Sequence, residues 1–318
     1  MASCFDDYEI EDIEYSRIKG HPLIASVLKP KSLLDGSCTP GRLPVLVFWH
    51  GGGFVVGHRL HEAWWPDWLI EYATLQNAII VAPDYRLMPE ASGADILDDV
   101  EAFWTWLSAC LSSHAETGLW KAQPDLQRIL CVGQSSGGCM AVGSALLKPE
   151  VGIKAVVSLY APLYPHVPDF TVPRPRRIMG TMPPSPGQAE ARIRNYMKQK
   201  TGNVRTAGDA AGMWDLLLCL LQQGRLTYLW TARPDSRLDA VSLLLQAKTL
   251  PSLWVIHGED DSVIPPRCSS LFLDQVKASL PCTPVLMSSL KGEHNFDVSL
   301  TLETDWLREG CQFLSKFW

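Results

Sequence analysis

Short apolar runs rich in β-branched residues alternate with longer stretches of helical periodicity, and this alternation constrains the chain more than any other feature. The runs are Ile13–Lys19, Pro22–Leu28, Pro44–Trp49, Ala78–Pro83, Arg128–Val132, Lys154–Ala161, Ser252–His257 and Pro284–Ser288. Gly20 breaks the first two, which read as a hairpin. The later runs are almost continuously apolar, as expected of strands covered on both faces. Helical patterns at Ala94–Leu107, Gly137–Leu147, Ser269–Ala278 and Leu302–Phe317 separate them. Strand alternating with helix predicts an α/β fold with a mostly parallel sheet of eight strands. With 318 residues there is ample chain for a large buried core, and one domain is expected over 1–318.

One segment breaks the alternation. Tyr164–Pro184 is rich in proline and carries Arg174, Arg176 and Arg177, and helical text follows at Ala189–Gln199 and Asp209–Gln223. No strand pattern returns before Ser252, and about seventy residues without one predict an inserted helical lid rather than a linker. The LLLCLL run of Leu216–Leu221 is apolar enough to face a pocket, although packing onto the main domain explains it equally well. The arginine cluster reads as a solvated loop, with a substrate carboxylate or a carrier phosphate as the other reading.

Twenty-eight basic against 34 acidic side chains give a net charge of −6 with no basic clustering along the chain as a whole, which argues against a nucleic-acid partner. No apolar run is long enough to span a bilayer. The acidic text of Met1–Glu14 is unlike a signal or transit peptide, so a cytoplasmic protein is expected. Nine cysteines, an odd count without a C-x-x-C pair or zinc-finger spacing, predict reduced and mostly buried thiols and no metal site. Trp64, Trp65, Trp68, Trp104 and Trp106 lie in helix-like text, where core packing is the better reading than ligand stacking.

The chemistry concentrates at four places. Gly133-Gln134-Ser135-Ser136-Gly137 fits G-x-S-x-G, directly after a strand and before a helix rich in small residues. A sharp strand-to-helix turn needs such small flanks and lifts the Ser135 hydroxyl above the sheet edge, at a helix N-terminus that favours developing negative charge. His50-Gly51-Gly52-Gly53-Phe54 follows the third strand, at the carboxyl end where α/β proteins bind ligands. Its bare glycines let the N–H groups of Gly52 and Gly53 approach an oxyanion, with the Ser136 N–H as a third donor. His294, just after the last strand, is placed to take a proton near neutral pH, and a carboxylate after the seventh strand would fix its tautomer. Glu259, Asp260 and Asp261 are the rival orienters. His58 and His61 follow the glycine loop without an evident partner, and Cys139 is expected to pack beneath the turn.

Together these residues resemble the hormone-sensitive-lipase-like branch of the α/β-hydrolase fold, the alpha/beta hydrolase fold-3 carboxylesterases. The resemblance rests on His50–Phe54, Asp84-Tyr85-Arg86-Leu87-Met88-Pro89-Glu90, Gly133–Gly138, His257–Pro265 and Gly292–Phe296, in the family's order across almost the whole chain. The order Ser…Asp…His is also the family's. The resemblance implies an eight-stranded sheet and a helical cap built from the N-terminal segment (about 1–20) plus the insertion at about 163–235. It also implies Ser135, Asp261 and His294 as a triad, because Asp261 has the family's spacing from His257-Gly258. Gln134 stands where the family usually has an acidic residue and Ser136 where it has alanine. The lid text is more similar to hydrolases of fungal specialised-metabolite pathways than to general lipases.

The expected activity is hydrolysis of a carboxylic ester with a small or medium acyl group through an acyl-enzyme, without metal or organic cofactor. An acyltransferase, or a thioesterase releasing a polyketide-type chain from an acyl-carrier donor, would use the same triad. A non-catalytic small-molecule receptor on this fold would typically lack the histidine, and elimination on a phenolic substrate would accompany an altered serine. A homodimer stays open.

Overall fold

A computed structural model describes residues 3–33, 41–118, 120–174 and 176–318. Its centre is one eight-stranded sheet in the order β1-β2-β4-β3-β5-β6-β7-β8. The strands are β1 (Tyr8–Ile18), β2 (His21–Pro30), β3 (Arg42–Trp49), β4 (Ile79–Pro83), β5 (Gln123–Gln134), β6 (Ala155–Leu159), β7 (Ser252–Gly258) and β8 (Val285–Leu290). The β1–β2 and β2–β4 pairs are antiparallel and all later pairs are parallel.

Alternation across β3 shows why the parallel strands read as unbroken apolar text. Val45, Val47 and Trp49 enter one buried cluster, and Leu46 and Phe48 enter the other. Helices α2 (Gly93–Thr117), α3 (Ser136–Leu147) and α9 (Arg267–Ser279) supply side chains to the first cluster. Helices α1 (Asp67–Leu75) and α10 (Asp305–Leu314) supply the second. Both faces of the strand are therefore removed from water, each by helices whose apolar stripe lies against it. The tryptophans behave as expected in most cases: Trp65, Trp68, Trp104 and Trp106 are buried.

β1 starts earlier than its apolar run predicts. In its first half Tyr8 is buried but Ile10 and Asp12 are exposed, and the half-buried Glu9 and Glu11 carboxylates accept from Lys29 Nζ across the strand pair at 3.0 and 2.9 Å. These charges hide the strand from a purely hydrophobic reading. The placement also corrects the expected cap: Tyr8–Ile18 of the N-terminal segment is an edge strand of the sheet, because its alternating face packs on β2 and α2.

The chain between β6 and β7 is helical, as the missing strand pattern requires. It contains α4 (Pro168–Thr171), α5 (Pro186–Gln199), α6 (Trp214–Gln222), α7 (Arg225–Trp230) and α8 (Ala240–Gln246). α8 packs on α3 and α9 and so sits with the base, α4, α6 and α7 contribute walls to the cavity at the carboxyl ends of the strands, and α5 packs on α6. Charged contacts tie this cap down. Arg233 pairs with Asp95 at 3.0 Å and Asp98 at 2.6 Å, and Arg237 pairs with Asp98 at 2.6 Å and Glu101 at 2.9 Å. Arg205 pairs with Glu90 at 2.9 Å and donates to the Val55 carbonyl at 2.6 Å.

Candidate active site

Ser135 occupies the tip between β5 and α3 with φ 52° and ψ −122°, a conformation that costs a non-glycine residue on the order of 1–3 kcal/mol. Two glycines make the turn possible. A Cβ on Gly133 would lie 2.0 Å from the Gly137 carbonyl oxygen, and one on Gly137 would lie 2.1 Å from the Trp49 carbonyl oxygen. The Ser135 N–H is anchored to the Leu159 carbonyl at 2.8 Å, which fixes the turn over the sheet edge.

The loops after β7 and β8 bring the partners to this serine. His294 Nε2 is 3.0 Å from Ser135 Oγ, and His294 Nδ1 is 2.7 Å from Asp261 Oδ2. All three residues are less than a tenth exposed. Asp261 also accepts from the Val263 and Ile264 N–H groups, both at 2.8 Å, and Oδ2 lies 3.3 Å from His257 Nε2. Burial opposes ionisation of this carboxyl, but the His294 charge and the hydrogen bonds outweigh it and hold its pKa well below the usual carboxylate range. Of the rival orienters, Asp260 lies near Lys291, 3.5 Å away, and Glu259 does the same, so neither reaches His294.

The glycine loop after β3 completes the arrangement. Gly52 has φ 102°, and a Cβ there would lie 2.1 Å from the Val56 carbonyl oxygen. Among the described residues, none accepts a hydrogen bond from the N–H of Gly52, Gly53 or Ser136. His50 braces the loop: its Nδ1–H donates to the Gly51 carbonyl at 2.8 Å, and its ring stacks on Tyr85 with centroids 4.4 Å apart. Burial pulls the His50 pKa down to about 3, so the imidazole is neutral in this role. Ser136 adds a tie, since its Oγ accepts from the Phe54 N–H at 3.3 Å.

Several supporting residues carried no assigned role in the sequence reading. Glu293 accepts from the Ser262 N–H and Oγ–H, each at 2.6 Å, and from the His294 N–H at 2.8 Å. It thereby ties the acid loop to the histidine loop, a role visible only once those loops are adjacent. The Tyr160 ring packs edge-on against the His294 imidazole, with centroids 4.7 Å apart. The Asp84–Glu90 segment supplies braces: Asp84 pairs with Arg59, Arg86 with Asp99 at 2.8 Å, and Glu90 with Arg205.

Above Ser135 the cap encloses a cavity of about 620 Å³. Its walls are largely apolar, with Phe54, Trp64, Met140, Trp214, Leu217 and Trp230 among the lining residues. Both readings of the LLLCLL run hold: Leu217 and Leu221 line the cavity, while Leu218 and Leu220 are buried in the core. Trp64 and Cys139 line the cavity rather than packing away from it, whereas His58 and His61 do not reach it. The arginine cluster is not a freely solvated loop. Arg174 and Arg176 converge with Arg267 on Asp169, and Arg176 Nη2 donates to the Val263 carbonyl at 3.1 Å. Among the described residues, no group of three or more metal-ligating side chains comes together.

Comparison with known proteins follows the geometry. A family model described as the alpha/beta hydrolase fold matches residues 46–266. The chain is 64% identical over 316 residues to the probable carboxylesterase M8 of Phoma sp., covering 99% of this chain and 98% of that protein. It is 64% identical over 203 residues to the probable carboxylesterase clz11 of Cochliobolus lunatus, covering 63% of this chain and 93% of that protein. Among solved structures, the esterase of the archaeon Pyrobaculum calidifontis superposes with a TM-score of 0.58 at 21% identity, over 97% of this chain and 84% of that one. With the family match covering most of the strands and the serine turn, and a full-length relative at this identity, the chain belongs to the alpha/beta hydrolase fold family.

Proposed function

We propose that this protein is a carboxylic ester hydrolase that works through an acyl-enzyme on Ser135. The observation that carries the reading is the continuous relay from Asp261 Oδ2 through His294 to Ser135 Oγ, with contacts of 2.7 and 3.0 Å, at the floor of an apolar cavity. The names of the two fungal relatives support the same activity.

In this mechanism the Ser135 hydroxyl attacks the acyl carbonyl while His294 Nε2 takes its proton. Asp261, kept ionised, holds Nδ1–H and stabilises the imidazolium. The N–H groups of Gly52, Gly53 and Ser136 meet the oxyanion, a contribution of roughly 3 kcal/mol for one such donor in known cases. His294 then returns the proton to the leaving alcohol, and a water activated by the same ring releases the acid. The substrate is a small-molecule ester with an apolar acyl part, matching the cavity wall. The described cysteines are all unpaired, which supports the cytosol as the place of action. The lid text supports a substrate from specialised metabolism.

A fluorophosphonate probe tests the reading directly. Wild type should be labelled and should turn over p-nitrophenyl esters, and Ser135→Ala should do neither. A folded wild type that never labels would overturn the proposal.

A further inference from the structure

Glycine is a poor residue for a helix interior, because it surrenders the most backbone freedom on folding and packs no side chain. Helix α3 nevertheless holds a buried Gly143 in its interior. The glycines at the start of this helix are sterically required. A Cβ on Gly137 would lie 2.1 Å from the Trp49 carbonyl oxygen, and one on Gly138 would lie 2.6 Å from Ala161 Cβ. Gly143 has no such reason. Its backbone is ordinary helix, and a Cβ there would meet no atom within 4 Å. Among the described glycines with that much room, Gly143 is the buried one: Gly20, Gly180, Gly187 and Gly202 are exposed and Gly152 is half-buried.

Protein interiors are close-packed, so open space beside a buried Cα belongs to a cavity. Gly143 does line the cavity above Ser135, and so do Ser136, Cys139 and Met140. These four occupy positions i, i+3, i+4 and i+7, a single stripe of α3 that begins beside the nucleophile. At 1.5 Å per residue the stripe runs for about 10 Å. Gly143 is the last α3 residue on it. α8 packs on α3, and its Ala240 and Leu243 line the same cavity. The missing side chain therefore keeps open the part of the cavity that lies furthest along α3 from Ser135.

We infer that Gly143 is a specificity-determining residue, whose bare Cα lets the cavity take an unbranched alkyl chain along α3, carried on the acyl or the alcohol part of the ester. A chain of roughly eight carbons spans the stripe, with bonds of about 1.5 Å in zigzag. The inference rests on the ester-hydrolase reading for its reaction and adds the length of chain that the site accepts. Helix stability given up at Gly143 is then the cost of that space, as happens where a site and local propensity conflict.

The test measures kcat/KM along two series, p-nitrophenyl esters from acetate to dodecanoate and acetate esters of the alcohols from ethanol to dodecanol. In one series wild type should prefer the octyl member over the butyl member by at least about tenfold, since each buried methylene adds to binding. Gly143→Leu fills the space, and that ratio should fall by about tenfold or more. The series in which it falls identifies the part of the ester that carries the chain. Gly143→Ala covers the case in which the leucine variant does not fold. It should move the preference shorter by about one carbon and, by improving the helix, raise Tm by about 2 °C. A wild type without the octyl preference in either series overturns the inference, and so does a folded Gly143→Leu with wild-type ratios in both. A Tm lowered by Gly143→Ala does the same, as does an unmoved preference in that variant where Gly143→Leu does not fold.

Binding without turnover separates this from failure of the hydrolase reading. In Ser135→Ala, tryptophan fluorescence from Trp214 and Trp230 on the cavity wall follows methyl octanoate against methyl butyrate, and octyl acetate against butyl acetate. Tighter binding of an octyl chain that Gly143→Leu removes sustains the inference even where no ester is cleaved, and equal binding within both pairs overturns it.

Discussion

Trp230 of the cap stacks on Phe54 of the glycine loop, with ring centroids 4.5 Å apart and planes 25° from parallel. Phe54 has φ 61°, its carbonyl accepts from the Met88 N–H at 2.7 Å, and its N–H donates to Ser136 Oγ at 3.3 Å. The cap therefore touches the loop whose Gly52 and Gly53 N–H groups are the proposed oxyanion donors, through one ring pair. Gly93 makes the approach possible, since a Cβ there would lie 2.5 Å from Trp230.

Trp230→Ala removes this stack, worth about 1 kcal/mol beyond area burial, and frees Phe54 to leave its strained position. The expected result is a kcat for p-nitrophenyl butyrate reduced about tenfold with a smaller change in KM, while Trp230→Phe retains most of the rate. Steady-state kinetics on both variants decide the matter, and equal losses in the two would refute a role for the stack.

Ser136→Ala deletes the acceptor of the Phe54 N–H without disturbing the Ser136 backbone. One hydrogen bond of about 1 kcal/mol predicts a roughly fivefold fall in kcat with KM nearly unchanged. Fluorophosphonate labelling should slow in parallel. An unaltered kcat would mean that the hydroxyl has no part in holding the loop.

Glu293→Ala breaks three charge-assisted contacts at once and separates the loop of Asp261 from that of His294. Supporting contacts of this kind around a catalytic group typically cost on the order of 10–100-fold in activity when lost, and that range is expected in kcat. Glu293→Gln keeps an acceptor and should recover much of the rate. A Glu293→Ala enzyme with wild-type kcat would show that the two loops hold their positions independently.

Asp297 offers a prediction in pH. It is fully buried, and burial raises its pKa above the ordinary carboxyl value, opposed in part by Trp68, whose Nε1–H donates to Oδ2 at 2.9 Å, and by the neighbouring Tyr160 hydroxyl. The folded protein then binds a proton that the unfolded chain releases at about pH 4, so this group's contribution is greatest below that pH and declines as pH rises through the folded value. Asp297→Asn keeps an acceptor for Trp68 and cannot ionise. The Tm of the variant relative to wild type should therefore rise between about pH 4 and about pH 7. A constant difference across that range, measured by calorimetry, would rule out titration of Asp297.

The sheet was legible from unbroken apolar runs such as Pro44–Trp49, which are satisfied only between two layers of helix. The sequence also determined which residues form the serine relay, since Ser135, Asp261 and His294 each follow a strand and so emerge at the same sheet edge. The spacing of glycines at 133 and 137 was legible for a steric reason: any side chain there would overlap a carbonyl oxygen. The choice of Asp261 over Asp260 needed a family resemblance; in the fold Asp261 contacts His294 and Asp260 faces Lys291, because adjacent residues in a turn point in different directions. Tertiary structure alone decided the rest. The N-terminal segment became an edge strand because its charges are paired across the sheet by Lys29, which one-dimensional hydropathy does not register. Arg174 and Arg176 became partners of a buried carboxylate only because α4 brings Asp169 beside them. Glu293 acquired its function in the same way, from the closeness of two loops 31 residues apart in sequence. Local patterns encode which backbone each residue can adopt, but pairing between loops depends on distances that exist only once the sheet has placed their ends.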